Sequence, residues 1–226
     1  IESYGALATG QLHVLSPQQL VSCAPNPLQC GGVGGCRGSI PEVAYDYIQL
    51  HGMTTEWKMP YLSGIDGSEP KCAYNDTQSE VIISGYCKLP PNDYAAVMSA
   101  LSSVGPLAVN VQANTWRDYE SGVYRGCSNH TDIEIDHVVQ LVGYGTDPKL
   151  GDYFTIRNSW DTTWGEAGFM RLLRSGGGGA TVCGTDPVPL DGTGCAGGAT
   201  TQHVCGTCGL LFDASYPVGA VEGGPV

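Results

Sequence analysis

The chain has 226 residues, 42% of them hydrophobic and only 14% charged, against about 25% charged in ordinary globular proteins. That composition excludes disorder, and the length allows one large domain or two small lobes. Ten basic against 22 acidic residues leave a net charge of −12, which argues against nucleic acid or an anionic lipid surface as a partner; no apolar run of about 18 residues is present to span a membrane.

In chain order, Ile1, Tyr4 and Leu7 lie at helical spacing and read as the tail of a helix that closes near Gly10. The pattern starts midway, with neither an initiator Met nor a signal peptide, so residues upstream are expected to be missing. Ser16-Pro17-Gln18-Gln19-Leu20-Val21 reads as a helix start, with Ser16 as N-cap, Pro17 at the first helical position and Gln19 at the capping-box position. The glycine cluster from Gly31 to Gly38 predicts a tight loop in which backbones approach closely. Ile40 to Ile48 again has helical spacing with Pro at its start, and Asp93 to Val104 predicts one more helix.

Beyond Pro106 the pattern changes to strands at Leu107 to Val111, His137 to Val142, Tyr153 to Arg157 and Gly168 to Leu173. Helices followed by antiparallel strands predict an α+β arrangement in two lobes with a cleft between them. From Ser175 the chain is rich in Gly and Cys, and Val-Cys-Gly-Thr occurs at 182–185 and again at 204–207. Two copies of so short a string do not make a repeat architecture.

Ten cysteines fall below the roughly 8–10% that marks a scaffold held by disulfides alone, so a cored fold with several staples is expected. Asn75-Asp76-Thr77 and Asn129-His130-Thr131 have the pattern of glycosylation acceptors. With the cysteines they indicate a lysosomal, vacuolar or extracellular location.

One histidine, His137, opens an apolar strand, and Asn158-Ser159-Trp160 with Trp164 follows it. A lone histidine beside a strand is more often a hydrogen-bonded core residue. An asparagine side-chain oxygen, however, can accept the imidazole N–H and fix the ring, while a tryptophan over the pair excludes water. These are the His and Asn of a Cys-His-Asn site.

The segments Ser16-Pro17-Gln18-Gln19-Leu20-Val21-Ser22-Cys23, Gly35-Cys36-Arg37-Gly38-Ser39, the stretches around His137 and Asn158, and the ending Cys208-Gly209-Leu210-Leu211-Phe212-Asp213-Ala214-Ser215-Tyr216-Pro217-Val218 occur together in one order. In these the chain resembles the papain-like cysteine peptidases, the family of the cathepsins. The resemblance implies a helical left lobe, an antiparallel β-barrel-like right lobe and an active-site cleft between them. It divides the chain into a mainly helical lobe at 1–90 lacking its N-terminal part, a mainly β lobe at 91–182, a Cys/Gly-rich insertion at 183–208 and a C-terminal tail at 209–226.

The resemblance also implies a cysteine-type endopeptidase that hydrolyses peptide bonds without a cofactor. His137 would be the general base and imidazolium partner, Asn158 its orienter, Trp160 the cover, and Trp164 a residue of the leaving-group side. Gly38 and Ser39 would border the substrate backbone. The pocket for the second residue before the scissile bond would be walled by Asn110 and by Ile135, Asp136 and Val138 around the histidine, with Asp213 at its floor, and would accept Arg or Lys besides Leu or Phe. The partners implied are a peptide or protein substrate and an N-terminal fragment or propeptide supplying the missing segment.

The family's nucleophile lies in a Gln-x-x-x-x-x-Cys-Trp stretch ahead of the helix seen here at Ile1, and none of the ten cysteines occupies that place. The polypeptide alone is therefore expected to be inert. The alternative is a catalytically inactive papain-like protein with a structural or binding role. Two further departures are Ser39 for a usual second glycine and Asp161 for a usual glycine after Trp160.

By resemblance Cys23 pairs with Cys72 and Cys127 with Cys208, and Cys36 needs a partner upstream. Cys30, Cys87, Cys183, Cys195 and Cys205 then have no assigned pairing. Cys195, His203, Cys205 and Cys208 could be read as part of a zinc pattern that would make the tail a binding module. An oxidising compartment favours disulfides, so the segment is read as a disulfide-pinned surface insertion without metal.

Overall fold

The computed structural model describes residues 1–75, 79–127, 131–175 and 181–223. Of the two glycosylation acceptors, Asn75 is exposed, and Asn129 lies outside the described residues. Among the described residues no helix is long and apolar enough to cross a membrane.

The chain forms two compact units, one of residues 1–87 and 216–226 and the other of residues 88–215. The first holds the helices α1 (Glu2–Thr9), α2 (Pro17–Cys23), α3 (Pro41–His51) and the single turn α4 (Ser63–Asp66), with short strands β1 (Val81–Ile82) and β11 (Val221–Glu222) paired antiparallel. Gly10 ends α1 in the left-handed region at φ 77°, which only glycine adopts without strain. The Ser16 hydroxyl accepts the Gln19 N–H at 3.0 Å and caps α2. The capping box does not close on the other side. The Gln19 side chain turns inward, donating to the Gly52 carbonyl at 2.9 Å and accepting the Thr54 N–H at 2.8 Å; the Ser16 N–H is taken by the Thr54 carbonyl at 2.9 Å. The buried backbone of the 52–54 turn needed partners more than the helix end did. Leu15, Tyr45, Ile48, Met53 and Val81 close over this network as the core of the unit.

The second unit opens with α5 (Tyr94–Ser103), capped by the Asp93 carboxylate on the Ala96 N–H at 2.9 Å. Within this unit the strand order is β10 (Ala214–Val218, of which Ala214 and Ser215 lie in this unit), β3 (Leu107–Val111), β5 (His137–Asp147), β6 (Gly151–Arg157), β7 (Phe169–Leu173) and β4 (Val123–Tyr124). The pairings are antiparallel except β4 with β7, which is parallel. β5 runs past the predicted end at Val142 because β6 pairs with it through Asp147, with a register shift between Leu141 and Gly143. Gly145 faces Tyr153 across that pair, and a Cβ there would sit 2.5 Å from the tyrosine oxygen, so the glycine is a matter of space.

The Cys/Gly-rich segment is less superficial than its composition suggested. Its strands β8 (Cys183–Asp186) and β9 (Gln202–Cys205) form an antiparallel ribbon in which Cys183 faces Cys205 and the two are disulfide-bonded. β8 also bonds to the chain ahead of β5: the Ile133 N–H donates to the Thr185 carbonyl and the Thr185 N–H to the Thr131 carbonyl, both at 2.9 Å. Val204 is buried in one cluster with Ile133 and Ile135. Apolar burial against that segment, invisible in a run of Gly and Cys, draws the ribbon in.

Asp186 is buried at the end of β8 and accepts the Val188 N–H at 2.9 Å. Desolvation raises its pKa above the ordinary carboxylate value, against the backbone hydrogen bonds that lower it. The folded state therefore holds this proton more tightly than the unfolded chain, and its stability falls as pH rises above about 4 until Asp186 has ionised. In thermal melts across that range, Asp186→Asn is expected to flatten this decline and to raise Tm at neutral pH. An unchanged slope would show that other groups set it.

Candidate active site

His137 is the first residue of β5, and its backbone is held on both sides. It pairs with Val111 of β3, and the preceding Asp136 N–H donates to the Val111 carbonyl at 3.1 Å. The Asp136 side chain accepts the Ala113 N–H at 2.7 Å. Packing of its inner side raises the carboxyl pKa, the Ala113 hydrogen bond opposes that shift, and its outer side meets solvent.

Asn158 follows the last residue of β6, its N–H donating to the Gly168 carbonyl at 3.0 Å. Its side-chain oxygen accepts the Ser159 N–H at 2.8 Å and lies 2.9 Å from His137 Nε2. An atom that accepts a backbone N–H is the amide oxygen, so Nε2 must be the donor in the contact with histidine. Nδ1 is thereby the ring nitrogen free for chemistry. Trp160 lies over the imidazole, ring centres 5.2 Å apart and planes 30° apart, and a half-buried hydrogen bond under an indole is shielded from competing water.

The loop carrying Trp160 is braced from beneath. Trp164 meets Trp160 edge-on at 5.3 Å, packs on Tyr119 and donates its indole N–H to the Trp116 carbonyl at 3.1 Å. Glu166 accepts from Arg171 Nε at 2.9 Å and Nη2 at 2.7 Å, and from the Gly122 N–H at 2.9 Å. Arg171 also reaches Asp147 at 3.1 Å. The Arg171 hydrogen bond is the main reason the Glu166 carboxyl stays below its usual range, burial acting the other way. Sequence reading gave no role to Glu166, Arg171 or Tyr119. Their only signal was a charged pair close to Trp164, which is common on any surface.

Residues 1–190 match the papain family cysteine protease family. The chain belongs to the papain family of cysteine proteases. It is 37% identical over 180 residues to a cathepsin L-like protein of Caenorhabditis elegans, covering 77% of this chain and 50% of that protein. Among solved structures it resembles the bromelain protease of Ananas comosus in complex with the E64 inhibitor, with TM-score 0.73, 28% identity, and 97% and 84% of the two chains covered. It also resembles digestive procathepsin L 3 of Tenebrio molitor, with TM-score 0.72, 29% identity, and 96% and 59% covered. The chain spans about half the length of the curated relatives it matches. The α+β papain-like fold read from the sequence is the fold found.

Where the papain family usually has glycine after the site tryptophan, Asp161 stands at φ 71°. This is the left-handed region, which explains the usual glycine. Asp161 offsets the strain by accepting the Thr163 N–H at 3.0 Å, as Asx turns do. In the first unit, Gly38 and Ser39 are exposed, and a Cβ on Gly38 would lie 2.4 Å from the Gly31 carbonyl.

The residues assigned by resemblance to the specificity pocket come together only in part. Asn110 faces Val138 across the β3–β5 pair and donates to an Asp213 carboxylate oxygen at 3.1 Å. Asn110 and Asp213 are 1% and 2% exposed, and the other Asp213 oxygen is 2.9 Å from Lys88 Nζ. Asp213 is therefore neither in solvent nor an unpaired acid. Ile135 is turned into the cluster with Ile133 and Val204.

Cys23 is bonded to Cys72 and Cys127 to Cys208. The pairing left open by the sequence closes at Cys183–Cys205, and Cys30 and Cys195 are disulfide-bonded as well. Cys36 and Cys87 of the first unit are not disulfide-bonded; the exposed Cys36 has its backbone N–H on Glu69 at 2.8 Å.

Proposed function

We propose that this chain is the histidine-bearing part of a thiol endopeptidase whose nucleophilic cysteine lies in a segment ahead of Ile1. The observation that carries the reading is the His137–Asn158 pair at 2.9 Å beneath Trp160, with Nδ1 left to face a thiol. The cysteines of the second unit are all disulfide-bonded, so none of them can be that thiol.

The chemistry follows from the ring's orientation. With Nε2–H held by Asn158, the imidazolium proton on Nδ1 stabilises a thiolate beside it, which lowers the thiol pKa. The thiolate attacks the scissile carbonyl, Nδ1–H passes to the leaving amine, and the acyl-enzyme forms. His137, now neutral, takes a proton from water as that water attacks the thioester, regenerating the ion pair. Asn158 and Trp160 keep the ring in one orientation through both steps.

In this reading Gly38 and Ser39 border the substrate backbone, and Asn110, Asp136, Val138 and Asp213 shape the neighbouring specificity pocket, with Ile135 behind it in the apolar cluster. The substrate is a peptide or protein, the missing segment comes as an N-terminal fragment or propeptide, and the disulfides suit a lysosomal, vacuolar or extracellular setting. The full-length protein treated with E64 and mapped by peptide mass spectrometry should carry the label on one cysteine ahead of Ile1. No label, or label confined to Cys36 or Cys87, would turn the assignment to a catalytically inactive papain-like protein.

A further inference from the structure

The β8–β9 ribbon places Cys183, His203 and Cys205 on one face. Cys183 and Cys205 are cross-strand partners, and His203 stands two residues before Cys205 on the same strand, the spacing that returns a side chain to the same side. One ligand atom from each lies within 4.8 Å of the other two. His203 Nε2 is 3.5 Å from Cys205 Sγ. With Zn–S near 2.3 Å and Zn–N near 2.05 Å, the S···N edge of a tetrahedral site is about 3.5 Å, so these two ligands already stand at the required separation.

We propose that reduction of the Cys183–Cys205 disulfide turns this ribbon into a zinc site of two thiolates and one imidazole, with water in the fourth position. Two molecules of a small thiol give one disulfide and the two cysteine thiols, and Zn²⁺ then displaces both protons as it binds. Cys183 and His203 are exposed and Cys205 is buried, so reductant and metal can arrive from the open side.

Hydrogen bonds hold the ligands in place once the sulfurs part. The Cys205 N–H donates to the Asn92 side-chain oxygen at 2.8 Å, and the Asn92 amide donates to the His203 carbonyl at 3.0 Å. β8 is anchored separately through Thr131 and Ile133. A ligand set kept in register without its disulfide loses little freedom on binding. Two sulfurs and an imidazole suit Zn²⁺ better than the hard cations that prefer oxygen. Cys208, part of the quartet noted in the sequence, is committed to Cys127 in a disulfide whose two residues are both buried. The site is independent of peptidase activity.

The test uses the full-length protein, opened with a limiting amount of a phosphine reductant, with the reduced pair mapped by alkylation. Titration with Co²⁺, a spectroscopic substitute for Zn²⁺, should then give thiolate-to-cobalt charge-transfer absorption that saturates at one cobalt per chain and is displaced by Zn²⁺. The oxidised protein should give none. His203→Ala, which leaves the disulfide able to form, should weaken Co²⁺ binding by about tenfold or more, and Cys183→Ser should abolish the band. If another disulfide opens first, excess reductant is used and the Cys183→Ser comparison decides. No absorption after the pair is shown to be open, or a band of wild-type intensity in Cys183→Ser, overturns the proposal.

Discussion

Replacing His137 with alanine in the full-length protein is expected to lower kcat for peptide hydrolysis by about ten-thousand-fold, the scale seen when a residue of such a catalytic set is removed. The same variant should lose alkylation of the nucleophile at acidic pH, where a thiol without an imidazolium neighbour is protonated. Two readouts are needed because a distorted fold lowers the first alone, whereas loss of the ion pair moves the pH profile of the second. Asn158→Ala should cost less, since it releases the ring without removing the proton carrier. In that variant the Ser159 N–H loses its acceptor and Trp160 has no ordered hydrogen bond to shield. Activity equal to wild type in His137→Ala would end the assignment of this site.

The Lys88→Ala variant is expected to raise the preference for Arg over Leu at the second residue before the scissile bond by about tenfold, or ~1.4 kcal/mol, the low end for a hydrogen bond to a charged group. Wild type should show little such preference. Asp213 is buried and its carboxylate is shared between Asn110 at 3.1 Å and Lys88 at 2.9 Å, so a basic substrate side chain must compete with an internal cation. The Lys88 side chain is 46% exposed but Asp213 is buried, so removing the lysine takes a charged partner from a buried carboxylate and lowers stability; thermal melting of the variant checks that it is folded under the assay conditions. The measurement is the ratio of kcat/KM for matched Arg and Leu dipeptide substrates. A ratio unchanged by Lys88→Ala places Asp213 outside the substrate pocket.

These two predictions mark the boundary of what could be read without coordinates. His137, Asn158 and Trp160 could be picked out as candidates because each lies in a short recognisable stretch: a histidine opening a strand, and an asparagine with its tryptophan two residues later. Lys88 could not be, since it lies far along the chain from Asp213 and a lysine ending a short strand carries no signal of a buried partner. Gln19 shows the same limit on a smaller scale. Its position three residues after Ser16 suits a capping box, yet its amide bonds the 52–54 turn, because a buried backbone group without a partner costs more than an open helix end. The β8–β9 ribbon was underestimated for want of any hydrophobic period in its sequence.

The sequence by itself determined the α+β order of elements, the cap at Ser16, and the family, because helix capping, strand alternation and short motifs depend on neighbours along the chain. Only the tertiary structure decided that the Asn158 oxygen faces Nε2, that Asp213 is neutralised from within, and which sulfur bonds Cys183. Each of these joins residues distant in sequence, and their choice of partner is settled by burial: once water is excluded, every polar group and sulfur must take the partner that packing brings within reach.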